Sequence, residues 1–172
     1  MVRWADEREL PGLVAVELAA DGLFEQAGIT FPPGTTMIED VRDPSSVLVE
    51  GDPPAGFALI SAVDGNVHLE QLAVHPSRMR RGIGGRLVEA VLDHARAAGA
   101  PAVTLTTFRD VPWNAPWYGR HGFVVWPERA WGPELRALVR RERELGIDVA
   151  PRVVMAAELG SPGRGAVGSG GS

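Results

Sequence analysis

The sequence predicts a mixed α/β domain, and three observations carry that reading. Two short apolar runs, 55–62 and 67–74, flank Asp64-Gly65, a dipeptide that marks a tight hairpin. A stretch at 84–98 places Leu87, Val88, Val91, Leu92 and Ala95 on one helical face. A β-branched run at 103–107 follows it, so strand, helix and strand succeed one another as in a parallel crossover.

In chain order, residues 3–27 read as helical, with a stripe of Leu13, Val14, Leu18 and Phe24 interrupted at Pro11-Gly12 and Asp21-Gly22. Phe31-Pro32-Pro33-Gly34 is a loop. The apolar run 46–50 is a strand, and Asp52-Pro53-Pro54 turns the chain into 55–62, its antiparallel neighbour. Gly99 stops the 84–98 helix. Residues 114–120 form a short helix ended near Gly122, and 123–126 return as a strand. Pro133 suits the first turn of a further helix running to about Leu145, and 152–157 is the last strand. No internal repeat is visible. The division is one domain over 1–159 and a disordered Gly/Ser-rich tail over 160–172.

Composition narrows the chemistry. The 172 residues suit one domain, and 45% hydrophobic with 23% charged residues suits a folded core. There is no cysteine and no lysine, so all 17 basic residues are arginine. That excludes disulfides, thiolate zinc sites, a cysteine nucleophile, Schiff-base chemistry and a Walker-type phosphate loop. The missing lysine goes with a sequence rich in alanine, glycine, proline and arginine, as a coding bias would produce. A net charge of −5 argues against nucleic acid as a partner. Charged residues interrupt the N-terminal segment and no apolar run reaches a membrane span, so a cytoplasmic location without membrane contact is expected. His75, His94 and His121 lack paired-ligand spacing, and no metal site is expected.

The informative stretch is 69–85. A strand ends at Val74, a loop carries Arg78, Arg80 and Arg81, and Gly82-Ile83-Gly84-Gly85 opens the helix, with Arg86 just inside it. Glycines let a ligand approach the backbone, free N–H groups and the helix dipole favour an anion, and guanidinium forks add phosphate contacts. This is a phosphate cradle without lysine, and the dinucleotide spacing G-x-G-x-x-G is absent. An ordinary strand-to-helix turn with solvated arginines reads the same glycines equally well.

The run Leu72-Ala-Val-His-Pro, then Arg80-Arg-Gly-Ile-Gly-Gly-Arg-Leu, then helix, strand and Trp117-Tyr-Gly-Arg-His-Gly-Phe123 resembles the GNAT superfamily of acyl-CoA N-acyltransferases, over roughly residues 46–125. The resemblance implies an α/β mixed central sheet splayed between its fourth and fifth strands, here those ending near Val74 and Thr107, with acetyl-CoA lying in the opening. It implies that the backbone of Leu72, Ala73 and Val74 pairs with pantetheine and offers an oxyanion N–H near Ala73. Arg80, Arg81, Gly82, Ile83, Gly84 and Gly85 would hold the pyrophosphate. Met79 departs from the glutamine or arginine usual at its place. Val111 stands where many relatives have an asparagine, so Asn114 is either a cofactor contact or a cap.

Tyr118 holds the place where the family keeps a tyrosine beside the thioester sulfur, able to protonate a leaving thiolate; packing between Trp117 and Phe123 is the plainer role. His68 and Glu70 alternate on one strand and share a face, either as base and proton relay or as a solvated polar pair. Glu17, Phe24, Phe31, Trp113 and Trp117 are candidates for the acceptor pocket, or for packing. Direct acetyl transfer to a primary amine, preferably of a small molecule, follows from the resemblance; a protein or peptide amine, or a non-catalytic acyl-CoA sensor, are the alternatives. The family also makes a homodimer an expectation.

Overall fold

Asp64 and Gly65 adopt left-handed backbones (φ 52° and 77°) and turn the chain tightly, so that Val63 faces Asn66. They join β3 (Pro54–Val63) to β4 (Asn66–Val74). The structure is a computed structural model and describes residues 1–33 and 36–160. Apart from Gly160, the expected tail lies outside the described residues, as does Gly34 of the expected loop. The other strands are β1 (Val2–Trp4), β2 (Val47–Gly51), β5 (Ala102–Phe108), β6 (Val124–Val125) and β7 (Arg152–Glu158). The helices are α1 (Leu10–Asp21), α2 (Ile83–Ala97), α3 (Ala115–Gly119) and α4 (Pro133–Glu144).

The seven strands form one sheet in the order β1-β2-β3-β4-β5-β7-β6, with β4 and β5 parallel and the other neighbours antiparallel. On one face α2 buries Leu87, Val88, Val91, Leu92 and Ala95 against Ala58, Leu69, Val103 and Leu105. On the other face α1 packs Leu10, Leu13 and Val16 against Phe57, Leu59 and Ala73, and α4 packs Leu135 against Val63 and Val154. The Asp64 carboxylate also accepts from the N–H groups of Glu134 and Leu135 (2.9 Å each), capping α4 from the hairpin. Gly132 leaves room for this cap, because a Cβ there would push the Asp64 carboxylate aside. No helix among the described residues is long and apolar enough to cross a membrane.

The N-terminal expectation needs correction. Residues 2–4 form an edge strand, with Val2 facing Glu50 and Trp4 facing Leu48, and the helix starts only at Leu10. A three-residue strand carries no periodicity of its own; its partner lies more than forty residues away in sequence. Pro11 sits in the first turn of α1, where its missing N–H costs nothing. Leu18 is 56% exposed, and the buried face runs through Leu10, Leu13, Val16 and Glu17 instead.

Two features shape the sheet centre. Ala58 faces Leu72 and Leu59 faces Gln71, but Ile60 faces Leu69, so Glu70 is an extra residue in β4, a β-bulge. The parallel pairing of β4 with β5 consists of two residue pairs, Val67 with Val103 and His68 with Thr104. The His68 ring is buried there, with Nδ1 2.8 Å from Thr104 Oγ1.

Glu17 braces the bulge. It is fully buried, and its carboxylate accepts from Met37 N (2.7 Å), Ile38 N (2.9 Å) and Gln71 Nε2 (2.9 Å). Glu17→Ala strands three donors, so a loss of about 3 kcal/mol in urea unfolding is expected. Burial also holds the His68 imidazole below its ordinary 6.5, against the raising influence of Glu70. The unfolded chain therefore takes up this proton first, and stability falls as the pH drops below about 6.5, levelling once the folded form protonates. His68→Gln should flatten that part of a chemical-denaturation profile measured against pH.

Candidate active site

Past His68 and Thr104 the two parallel strands separate. His75 N donates to Ala55 O (2.8 Å), so the alternation of the strand turns the Ala73 peptide groups toward β3 and those of Leu72 and Val74 into the opening. The Ala73 N–H, expected to face an oxyanion, thus points to β3, and the Leu72 N–H is the one that faces the opening. That N–H is held by the neighbouring Gln71 Oε1 at 3.2 Å, a long bond, and Gln71 is itself anchored on Glu17.

The opening continues into a cavity of about 470 Å³ that reaches from the start of α2 to the end of α1. At the α2 end the loop is built for an anion. Arg80 (φ 62°) and Gly82 (φ 76°) are both left-handed, and the helix begins at Gly82 with no side-chain cap. The first-turn N–H groups of Ile83, Gly84 and Gly85 therefore lack side-chain or helical acceptors, at the positive end of a 15-residue dipole. Arg78, Arg80, Gly82, Ile83, Gly84 and Gly85 all line the cavity.

Three expectations about this end change. Arg81 is exposed and off the cavity wall, with its carbonyl oxygen accepting from Arg86 Nη1 (3.0 Å). Arg86 is not a free phosphate ligand, because its Nε donates to Glu50 at 2.8 Å and the pair holds the Glu50 carboxyl below its ordinary range. Trp117 stands over the cradle rather than in an acceptor pocket: a Cβ on Gly84 would meet its ring at 3.4 Å, and His121 stacks on it at 4.1 Å.

At the middle of the cavity lie Glu70, Asn114 and Tyr118. Glu70 accepts from Ser61 Oγ at 2.6 Å. Asn114 braces β5 to α3, its Oδ1 accepting from Thr107 Oγ1 (2.9 Å) and Phe108 N (3.4 Å), which leaves its amide N–H groups. Its cap role is not seen, since no side-chain bond caps α3. The Tyr118 phenol is pushed above its ordinary value by burial, so it stays protonated. His68 does not reach this wall; it stands behind Glu70, locked on Thr104.

The far end is aromatic. Phe24 lies 5.2 Å from Phe31, 5.5 Å from Phe108 and 5.6 Å from Trp113, ring centre to ring centre. Phe24, Phe31 and Trp113 thus line the cavity, whereas Glu17 is consumed by the N–H groups it holds and does not. Lining residues that sequence reasoning did not single out include Asp21, Phe108, Glu142 and Arg152. Thr106 Oγ1 donates to Glu142 at 2.6 Å and accepts from Arg152 Nη2 at 3.0 Å, and the Arg152 guanidinium lies 4.7 Å from the Phe108 ring centre. Burial raises the Glu142 carboxyl and lowers the Arg152 guanidinium. Asp21 was visible only as part of a helix-ending Asp-Gly pair, and Glu142 only as one charge in a highly charged helix.

Comparison with known proteins agrees with this geometry. A model of the acetyltransferase (GNAT) family matches residues 6–123. The fold is similar to that of N-acetylglutamate synthase from Neisseria gonorrhoeae complexed with coenzyme A and N-acetyl-glutamate (TM-score 0.66, 20% identity, covering 93% of this chain and 35% of that one). The chain thus spans about a third of that synthase's length. An acetyltransferase of the GNAT family from Staphylococcus aureus Mu50 is similar at TM-score 0.69 and 11% identity, over 93% of this chain and 99% of that one. The ribosomal-protein-S18-alanine N-acetyltransferase of Escherichia coli is similar at TM-score 0.60 and 17% identity, over 96% and 97%. The match of the family model to most of the chain, on a sheet that opens between two parallel strands, shows that this protein belongs to the acetyltransferase (GNAT) family.

Proposed function

We propose that the protein transfers the acetyl group of acetyl-CoA directly to the primary amine of a small molecule. The observation that carries this reading is the opening between β4 and β5: a single cavity joins the uncapped start of α2 to Glu70 and Tyr118. In support, the synthase from Neisseria gonorrhoeae holds coenzyme A on a similar fold.

The residues divide the work by chemistry. The N–H groups of Ile83, Gly84 and Gly85, with Arg78 and Arg80, suit the pyrophosphate of the donor. The peptide groups of Leu72 and Val74 suit the amides of its pantetheine arm, and Asn114 adds a side-chain amide from the opposite wall. The acceptor nitrogen attacks the thioester carbon, forming the C–N bond as the C–S bond breaks. Glu70 takes the proton that the nitrogen loses, with His68 and Ser61 as positioning residues behind it. The Leu72 N–H, released from Gln71, faces the carbonyl oxygen as charge develops there. Tyr118 gives its phenolic proton to the departing sulfur, so that coenzyme A leaves as a thiol.

A thiol-release assay over small amines and short peptides, run alongside acetyl-CoA calorimetry, tests the reading. Wild type should turn over a small amine above background. Tyr118→Phe should lower kcat about a hundredfold with little change in KM. Turnover confined to peptides would move the acceptor to a protein amine. Tight acetyl-CoA binding with no turnover of any amine would favour an acyl-CoA sensor.

A further inference from the structure

The acceptor end of the cavity carries more negative charge than acetyl transfer requires. From its middle to its far end three carboxylates line the cavity, Asp21, Glu70 and Glu142, with one guanidinium, Arg152. Glu142 and Arg152 stand 3.7 Å apart and share Thr106 Oγ1, so their charges offset each other. Glu70 serves the reacting nitrogen. Asp21 is left over.

No local structural term favours a carboxylate at Asp21. It is the last residue of α1, where the helix dipole disfavours a negative charge and no basic residue offsets it. It is half-buried on the cavity wall, and among the described residues it has no hydrogen bond or ion pair. Burial pushes its carboxyl up to about 7, and the charge of Glu17, one turn earlier, pushes the same way. A polar group kept at such a cost is accounted for by a ligand that repays it. The surroundings indicate which ligand: Phe24, three residues on, opens the aromatic wall of Phe31, Phe108 and Trp113. A hydrocarbon chain ending in a cation suits rings beside a carboxylate. Asp21 and Glu70 also stand on different walls, one at the end of α1 and the other on β4.

We propose that Asp21 binds a second, non-reacting cationic group of the acceptor, which makes the preferred acceptor a diamine, with one amine held at Asp21 across the aromatic wall and the other presented at Glu70. This rests on the acetyltransferase reading above. Asp21 is a specificity residue in this scheme; it takes no part in the bond-making step.

The test compares linear diamines with n-alkyl monoamines of equal length, at about pH 8, where Asp21 is ionised. Thiol release gives kcat and KM, and calorimetry on the coenzyme A-loaded protein gives amine affinity independently of turnover. Wild type should prefer diamine over monoamine by about tenfold or more in kcat/KM, carried by KM, with the same order in calorimetric affinity. Asp21→Asn should bring both ratios to about one, and Asp21→Glu should restore part of the preference. A wild-type ratio near one, or an Asn variant that keeps the wild-type ratio, overturns the proposal while leaving the transferase reading intact. Absence of turnover with every amine overturns the transferase reading and the diamine proposal with it.

Discussion

The structure depends on a pairing that stops early. Two parallel strands at the centre of a sheet would ordinarily satisfy each other's backbone along their length, yet β4 and β5 share two residue pairs and then part. Everything at the site follows from the backbone groups left facing that gap. Leu72 and Val74 present N–H and C=O to it, and the long bond from the Leu72 N–H to Gln71 Oε1 is a stopgap rather than a ladder bond. A ligand that enters with amides of its own completes the sheet.

The gap is kept open by devices that are costly in isolation. The extra residue at Glu70 places Glu70 and Gln71 next to each other where one residue would fit, which lets Leu72 and Val74 pack on the α2 side while Glu70 stays on the cavity wall. Glu17 buries a carboxylate without a countercharge, made tolerable by two backbone donors and Gln71. One side chain therefore ties α1, the segment at Met37–Ile38 and the bulged strand together. At the other end the uncapped start of α2 and the left-handed Arg80 are preorganised for an anion. The acidic whole, with net charge −5, is thus locally basic at the start of α2 and acidic toward the end of α1 and α4.

Local signals were legible in the sequence, and long-range ones were not. The Asp64-Gly65 hairpin, the α2 stripe with its Gly99 stop and the β5 run each announce themselves within a dozen residues, and the structure has them within a residue or two. The edge strand Val2–Trp4 exists only because β2 accepts it. Arg86 reads as one more basic residue beside the cradle until Glu50 is brought to it from another strand. Glu17 reads as an acceptor-binding carboxylate because nothing nearby in sequence reveals the three donors that consume it. Asp21 is the reverse case, a turn residue by sequence that the fold leaves without a partner on the cavity wall.

The central claim, that the parted strands seat the donor through the backbone, is tested most directly by amide hydrogen exchange read residue by residue with and without coenzyme A. The account predicts that the Leu72 and Val74 amides, facing the gap, slow markedly when coenzyme A is added, together with Gly84 and Gly85. Ala73, already turned toward β3, should be protected in both states. Unchanged exchange at Leu72 and Val74 under saturating coenzyme A would contradict it.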